Sequence, residues 1–133
     1  MDKKGIGIGL LIVAGGFWFF GSDTNPHALT KIRVVDTIIG EAEAEPYKGK
    51  LAVACAIRER GNLKGCNGWK AERVREHKYS PRVFVDAVRA YEESRDKNKC
   101  MFVNGADSWW TRSKMFNCPR IAKVGGHYFF NCQ

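Results

Sequence analysis

Ile39-Gly40-Glu41-Ala42-Glu43-Ala44-Glu45-Pro46-Tyr47-Lys48-Gly49-Lys50-Leu51-Ala52-Val53-Ala54 is the stretch on which the reading of this chain turns. Leu29, Ile32, Val35, Ile38, Ile39 and Ala42 recur at three- and four-residue steps, which predicts an amphipathic helix from about Ala28 to Ala44 with Glu41 near its C-terminal end. Pro46 makes the α conformation unfavourable for Glu45 and suits the first turn of a new helix, so one helix stops and another starts almost at once. Near a helix C-terminus the macrodipole opposes negative charge, and with Glu43 and Glu45 close by, ionising all three carboxylates is mutually disfavoured. One of them is expected to hold a proton near neutral pH, as an acid that protonates the leaving oxygen of a glycosidic bond must. The plainer reading of the same charge run is a solvated helix end.

Downstream, the second helix closes at Gly61, after Arg58-Glu59-Arg60. A loop from Gly61 to Gly68 leads through a polar stretch to Ser80-Pro81, which reads as an N-cap followed by a first helical position. Phe84, Ala87, Val88 and Tyr91 then mark one face of a third helix, whose charged end, Glu92 to Lys99, passes into an irregular region. Ile121-Ala122-Lys123-Val124, Gly125-Gly126 and His127-Tyr128-Phe129-Phe130 read as a β-hairpin around a two-residue turn. The expected fold class is α+β: a small, mainly helical domain with a C-terminal β-hairpin, preceded by an N-terminal hydrophobic helix.

The 133 residues divide into three parts. Residues 1–22 carry Asp2-Lys3-Lys4 and then an uncharged run from Gly5 to Phe20, the pattern of a signal peptide or signal anchor. Phe19 and Phe20 occupy positions where cleavage would need small residues, which favours an anchor. At about 1.5 Å per residue the run reaches roughly 24 Å, short of the ~30 Å hydrocarbon core. Its glycines weaken the hold further, and the segment resembles the signal-arrest-release segments of some phage endolysins. Residues 23–27 are a linker, and 28–133 form the domain. The lysines stay in the cytoplasm, so the domain is exported, either tethered to the inner membrane facing the periplasm or secreted.

The formal charge of +8 falls to about +7 once Asp2, Lys3 and Lys4 are set aside, a net removal of +1. Such an excess favours polyanionic surroundings. No zinc-finger spacing, arginine-rich tract or RNA-binding motif points to nucleic acid, so the expected partner is the anionic cell envelope. Five cysteines, at 55, 66, 100, 118 and 132, suit a disulfide-bearing exported domain. Cys55 falls among Leu51, Ala54 and Ile57 on a buried helix face and is expected to be the unpaired one; the other four allow three pairings. No C-x-x-C pair suggests a metal site, and no cofactor is implied.

Three blocks carry a family resemblance. Glu41-Ala42-x-x-Glu45-Pro46-Tyr47-x-Gly49-x-x-Ala52-Val53-Ala54 resembles the signature of the SleB-type cell-wall hydrolases, found in spore-cortex lysis and among phage and prophage lysis proteins. Asn104-Gly105-Ala106-Asp107-x-Trp109 looks like the family's mid-domain block, and Ile121-x-x-x-Gly125-Gly126-His127-x-Phe129 like its closing strand. Together they span about residues 30–131. The resemblance implies a lysozyme-like fold and cleavage of the N-acetylmuramic acid to N-acetylglucosamine bond of peptidoglycan, with the catalytic glutamate at Glu41 and lytic transglycosylation as the reaction. The chain differs from the usual pattern at Glu43-Ala44, where the family has Arg-Gly, at Glu59, where it has Asn before the arginine, and at Ser108, where histidine is frequent.

Around Glu41 the candidate substrate-binding residues are Glu45, Asp107, Trp109, His127 and Tyr128. Glu45 reads equally as a helix N-cap or ion-pair residue, Asp107 as a turn residue or a second carboxylate, and His127 as a structural histidine of the hairpin. Trp109 is the first candidate for a ring that faces sugar. The alternatives are a hydrolytic muramidase with a second carboxylate, an inactive peptidoglycan-binding module, and a basic protein that damages membranes directly.

Overall fold

The computed structural model describes Asn25, residues 27–115 and residues 117–133. The expected N-terminal anchor, 1–22, and most of the linker lie outside the described residues. Among the described residues no helix is long and apolar enough to cross a membrane.

Among the described residues four α-helices precede a small antiparallel sheet: α1 Lys31–Ala42, α2 Tyr47–Arg60, α3 Glu72–Arg75 and α4 Pro81–Glu93, with 3-10 turns at Gly68–Lys70 and Lys97–Val103. The strands are β1 Ser108–Trp110, β2 Arg120–Val124 and β3 His127–Phe130, in the order β1-β3-β2. This is the expected α+β, mainly helical arrangement. The hairpin of β2 and β3 falls where the sequence places it. β1 is an addition, three residues being too short for an alternation to show, and it pairs Trp109 with Phe129 and Trp110 with Tyr128.

The helix boundaries follow their caps. Thr30 Oγ1 accepts from Arg33 N at 3.3 Å, so α1 starts later than the apolar repeat suggests. Ser80 Oγ accepts from Val83 N at 3.2 Å with Pro81 at the first position, as expected. Gly61, with φ of 83°, ends α2 in the left-handed conformation that glycine alone adopts without strain.

Helix α2 is the centre of the core. Leu51 to Ile57 is buried all round, because α1, α4 and the sheet cover it on different sides. From α1 come Val34, Val35, Ile38, Ile39 and Ala42, and from the sheet Phe129. Two expected core residues are instead exposed: Ile32, at 77%, and Phe84 line a shallow groove between α1 and α4. Val34 on α1 and Ala90 on α4 supply buried contacts outside the predicted stripes, since each helix is covered over a wider arc than one stripe.

The turn between α1 and α2 is fixed by a residue with no obvious signature. Lys50 is 3% exposed, and its ammonium donates to the carbonyls of Glu43 at 3.1 Å and Glu45 at 2.5 Å. A buried cation needs such partners, and two carbonyls just beyond α1, those of the C-cap Glu43 and of Glu45 in the turn, supply them.

The cysteine expectation is corrected. Cys55 bonds Cys100 and Cys118 bonds Cys132, while Cys66 is the free, buried thiol. Burial did not discriminate, because Cys55 and Cys66 are both in the core. What decides is the neighbour: Cys55 faces the 3-10 turn that carries Cys100, with Cα atoms 5.7 Å apart, whereas Cys66 faces Arg60.

Candidate active site

Glu41 occupies the last turn of α1, where the sequence puts it. A Cβ on Gly40 would strike the carbonyl of Gly68, and one on Gly68 would come within 2.9 Å of Glu41 N and Thr37 O. The two glycines thus allow the 3-10 turn to lie directly on the helix. The Gly68 N–H then donates to Glu41 Oε2 at 3.0 Å, and from the sheet the Trp109 indole N–H donates to Oε1 at 3.2 Å. Both oxygens are oriented by donors on rigid elements, and each keeps a further lone-pair position.

Glu41 and Trp109 line a cleft of about 260 Å³ together with Arg60, Lys64, Cys66 and Met115. Glu41 is the one carboxylate in that lining. Arg60, the last residue of α2, ties the cleft walls together. Its Nε donates to the Asp107 carbonyl at 3.0 Å, its Nη1 to the Lys64 carbonyl at 2.6 Å and to Cys66 Sγ at 3.2 Å, and the guanidinium lies 5.3 Å from the Trp109 ring centroid. It connects the loop leading to Gly68 with the strand bearing Trp109, the two donors on Glu41. Burial pushes the Cys66 thiol up, with Arg60 opposing and Glu41 adding to the shift.

The three neighbouring glutamates are not a cluster. Glu43 turns to Arg73, at 2.6 Å, and that hydrogen bond holds its carboxyl below the usual range. Glu45 reaches the hairpin turn, accepting from Gly126 N at 2.8 Å, with Oε2 3.9 Å from His127 Nδ1. Pro46, not Glu45, holds the N-cap position of α2. The mutual repulsion expected of the three is therefore relieved by separation.

Asp107 is buried and committed: its Oδ1 accepts from Ser108 Oγ at 3.1 Å and from Cys132 N at 2.8 Å. His127 is buried against Glu45 and Phe129, a structural place within the hairpin. Tyr128 pairs with Trp110, so strand alternation sets it on the face of the sheet opposite to Trp109 and Phe129. Of the candidate residues, the structure brings Trp109 to Glu41 and leaves Glu45, Asp107, His127 and Tyr128 outside the cleft lining. Arg60 and Gly68 were missed. Gly68 contributes a backbone group, which no sequence pattern advertises.

Asp36, also on α1, lines the groove of about 410 Å³ with His77, Tyr79 and Phe84. Burial pushes its carboxyl up against the pull of His77 and Arg33. Five residues before Glu41, it projects from a different side of the helix. No cluster of three or more His, Cys, Asp or Glu side chains suited to a metal occurs among the described residues.

The comparison with solved structures finds the same fold elsewhere. Over 84% of this chain and 98% of the other, the chain is similar to the catalytic domain of the germination-specific lytic transglycosylase SleB from Bacillus anthracis, at 20% identity and a TM-score of 0.53. It is also similar to the catalytic domain of the Bacillus cereus SleB protein, at 18% identity and a TM-score of 0.47, over 84% of this chain and 100% of that one. No protein-family model matches the sequence, and no curated protein matches it. The SleB-type fold implied by the three sequence blocks is the fold observed.

Proposed function

We propose that the protein cleaves the glycan strands of peptidoglycan at the N-acetylmuramic acid to N-acetylglucosamine bond, with Glu41 as general acid and then general base. The observation that carries this reading is the environment of Glu41, the one carboxylate in its cleft, held by Gly68 N–H and Trp109 N–H. Protonated Glu41 gives its proton to the glycosidic oxygen as the C1–O bond breaks. The resulting carboxylate takes the proton of the muramic acid 6-hydroxyl as that oxygen bonds to the anomeric carbon. The products are a free hydroxyl on the departing sugar and a 1,6-anhydro end on the other.

Transglycosylation is favoured over hydrolysis because a hydrolytic pair needs a second carboxyl roughly 5 to 9.5 Å from the first. Asp107 and Glu45, the two candidates, are each committed to structural hydrogen bonds elsewhere. The Trp109 ring supplies an apolar wall on which a sugar can rest.

The disulfides and the basic charge fit an exported protein working in the anionic cell envelope. Residues 1–22 are read as a weak inner-membrane tether that leaves the domain in the periplasm. Purified protein should release soluble muropeptides from isolated sacculi and leave wall-free liposomes intact. Sacculi that stay insoluble would overturn the catalytic reading, and leaking liposomes would point to membrane damage instead.

A further inference from the structure

Residues 108–133 contain Arg112, Lys114, Arg120 and Lys123 and not one Asp or Glu. The helical part of the chain is different: its cations are offset by carboxylates, as in Lys31–Glu92, Arg73–Glu43, Arg89–Glu93 and Lys99–Glu93. The four cations of the sheet region have no carboxylate partner among the described residues, and each is exposed. Two of them, Lys114 and Arg120, line a hollow of about 490 Å³ together with Ser113, Asn117 and Met115.

Met115 also lines the Glu41 cleft, so the basic hollow and the cleft adjoin through one side chain. The cleft lining itself includes Arg60 and Lys64. The hollow is built from a braced loop: the Cys118–Cys132 disulfide closes one side, and Arg120 Nη1 donates to the Ser113 carbonyl at 3.5 Å on the other.

We infer that this hollow binds the carboxylates of the peptide stem carried by the muramic acid, with Lys114 and Arg120 as the contacts, so that peptide-bearing glycan is the preferred substrate. This rests on the peptidoglycan reading above. A stem branches from the glycan and carries free carboxylates, which matches an acid-free, cationic recess beside the cleft. A neutral, stripped glycan offers that recess nothing.

The test uses full-length Glu41→Gln protein, which cannot consume its ligand, titrated calorimetrically with soluble, uncross-linked glycan strands that keep their peptide stems and with the same strands stripped of peptide by an amidase. Binding to the stem-bearing strands should be the tighter. Adding Lys114→Gln and Arg120→Gln should weaken it roughly 2- to 30-fold, the range of two exposed ion pairs, with less effect at high salt. Binding to the stripped strands should not change. A charge-matched control, Arg82→Gln with Lys97→Gln on the helical side, should leave both unchanged. Equal binding to the two kinds of strand, or equal loss in the control, overturns the inference. Stem-dependent binding without muropeptide release by the native chain would end the catalytic reading and keep the stem site, while release with no stem dependence would do the reverse.

Discussion

Glu41 and Glu45 stand four residues apart, one in the last turn of α1 and the other in the turn before α2, yet their surroundings differ in kind. Around Glu41 the polar contacts are a backbone N–H and an indole N–H at the wall of an open cleft. Around Glu45 they are the turn of the hairpin and a buried imidazole, packed so closely that a Cβ on Gly125 would run into the carboxylate. The first arrangement orients a carboxyl toward space a substrate can enter. The second ties the sheet to the start of α2. Proximity in sequence therefore says little about shared work, and the turn that Lys50 stabilises is what sends the two side chains apart.

The comparison breaks most visibly by removing each acid in turn. Glu41→Gln keeps shape and cannot give a proton, so the rate of wall lysis should fall by about 10² to 10⁴, with a much smaller cost in melting temperature because the amide NH2 meets one of the two N–H donors. Glu45→Ala should do the opposite, costing roughly 1–3 kcal/mol of stability in denaturant unfolding, with activity following the folded fraction. Equal loss of activity from both, at equal stability, would erase the distinction.

Further changes sharpen it. Breaking Cys55–Cys100 with a double alanine substitution should lower unfolding stability by about 2–4 kcal/mol, because it frees a long loop in the unfolded chain. Arg60→Met should loosen both walls of the cleft and lower kcat by up to roughly 100-fold, with a smaller effect on KM, since a shift of about 1 Å in the acid is enough. The smallest effect concerns Glu43. Its carboxyl is held by Arg73 below its ordinary value of 4.5, so its contribution is present above that value and fades as pH falls through the lowered one. Glu43→Gln should therefore slightly lower the plateau of a stability-against-pH curve near neutrality and flatten its acid limb, leaving stability at low pH unaltered.

Much of this was legible in the sequence. The helix break at Glu45-Pro46, the Ser80-Pro81 start and the Gly125-Gly126 hairpin are local signals, set by φ restriction and side-chain period, and each is found where expected. The site was half legible: Glu41 and Trp109 meet, but the meeting depends on two glycines 28 residues apart, Gly40 and Gly68, whose role appears only when their backbones touch. Lys50 reads as a solvated lysine until its carbonyl partners are seen. Cys55 reads as a free thiol on a buried helix face until Cys100 arrives beside it, and nothing local marks Cys66 as the unpaired one. β1 is too short for its pairing to be read before β3 lies beside it.

The measurement that tests the central claim most directly is mass spectrometry of sacculi digested by the native chain and, in parallel, by the Glu41→Gln variant. The account predicts muropeptides with 1,6-anhydro ends from the first and essentially none from the second. Reducing ends as the main product, or anhydro products from the variant at the native rate, would contradict it.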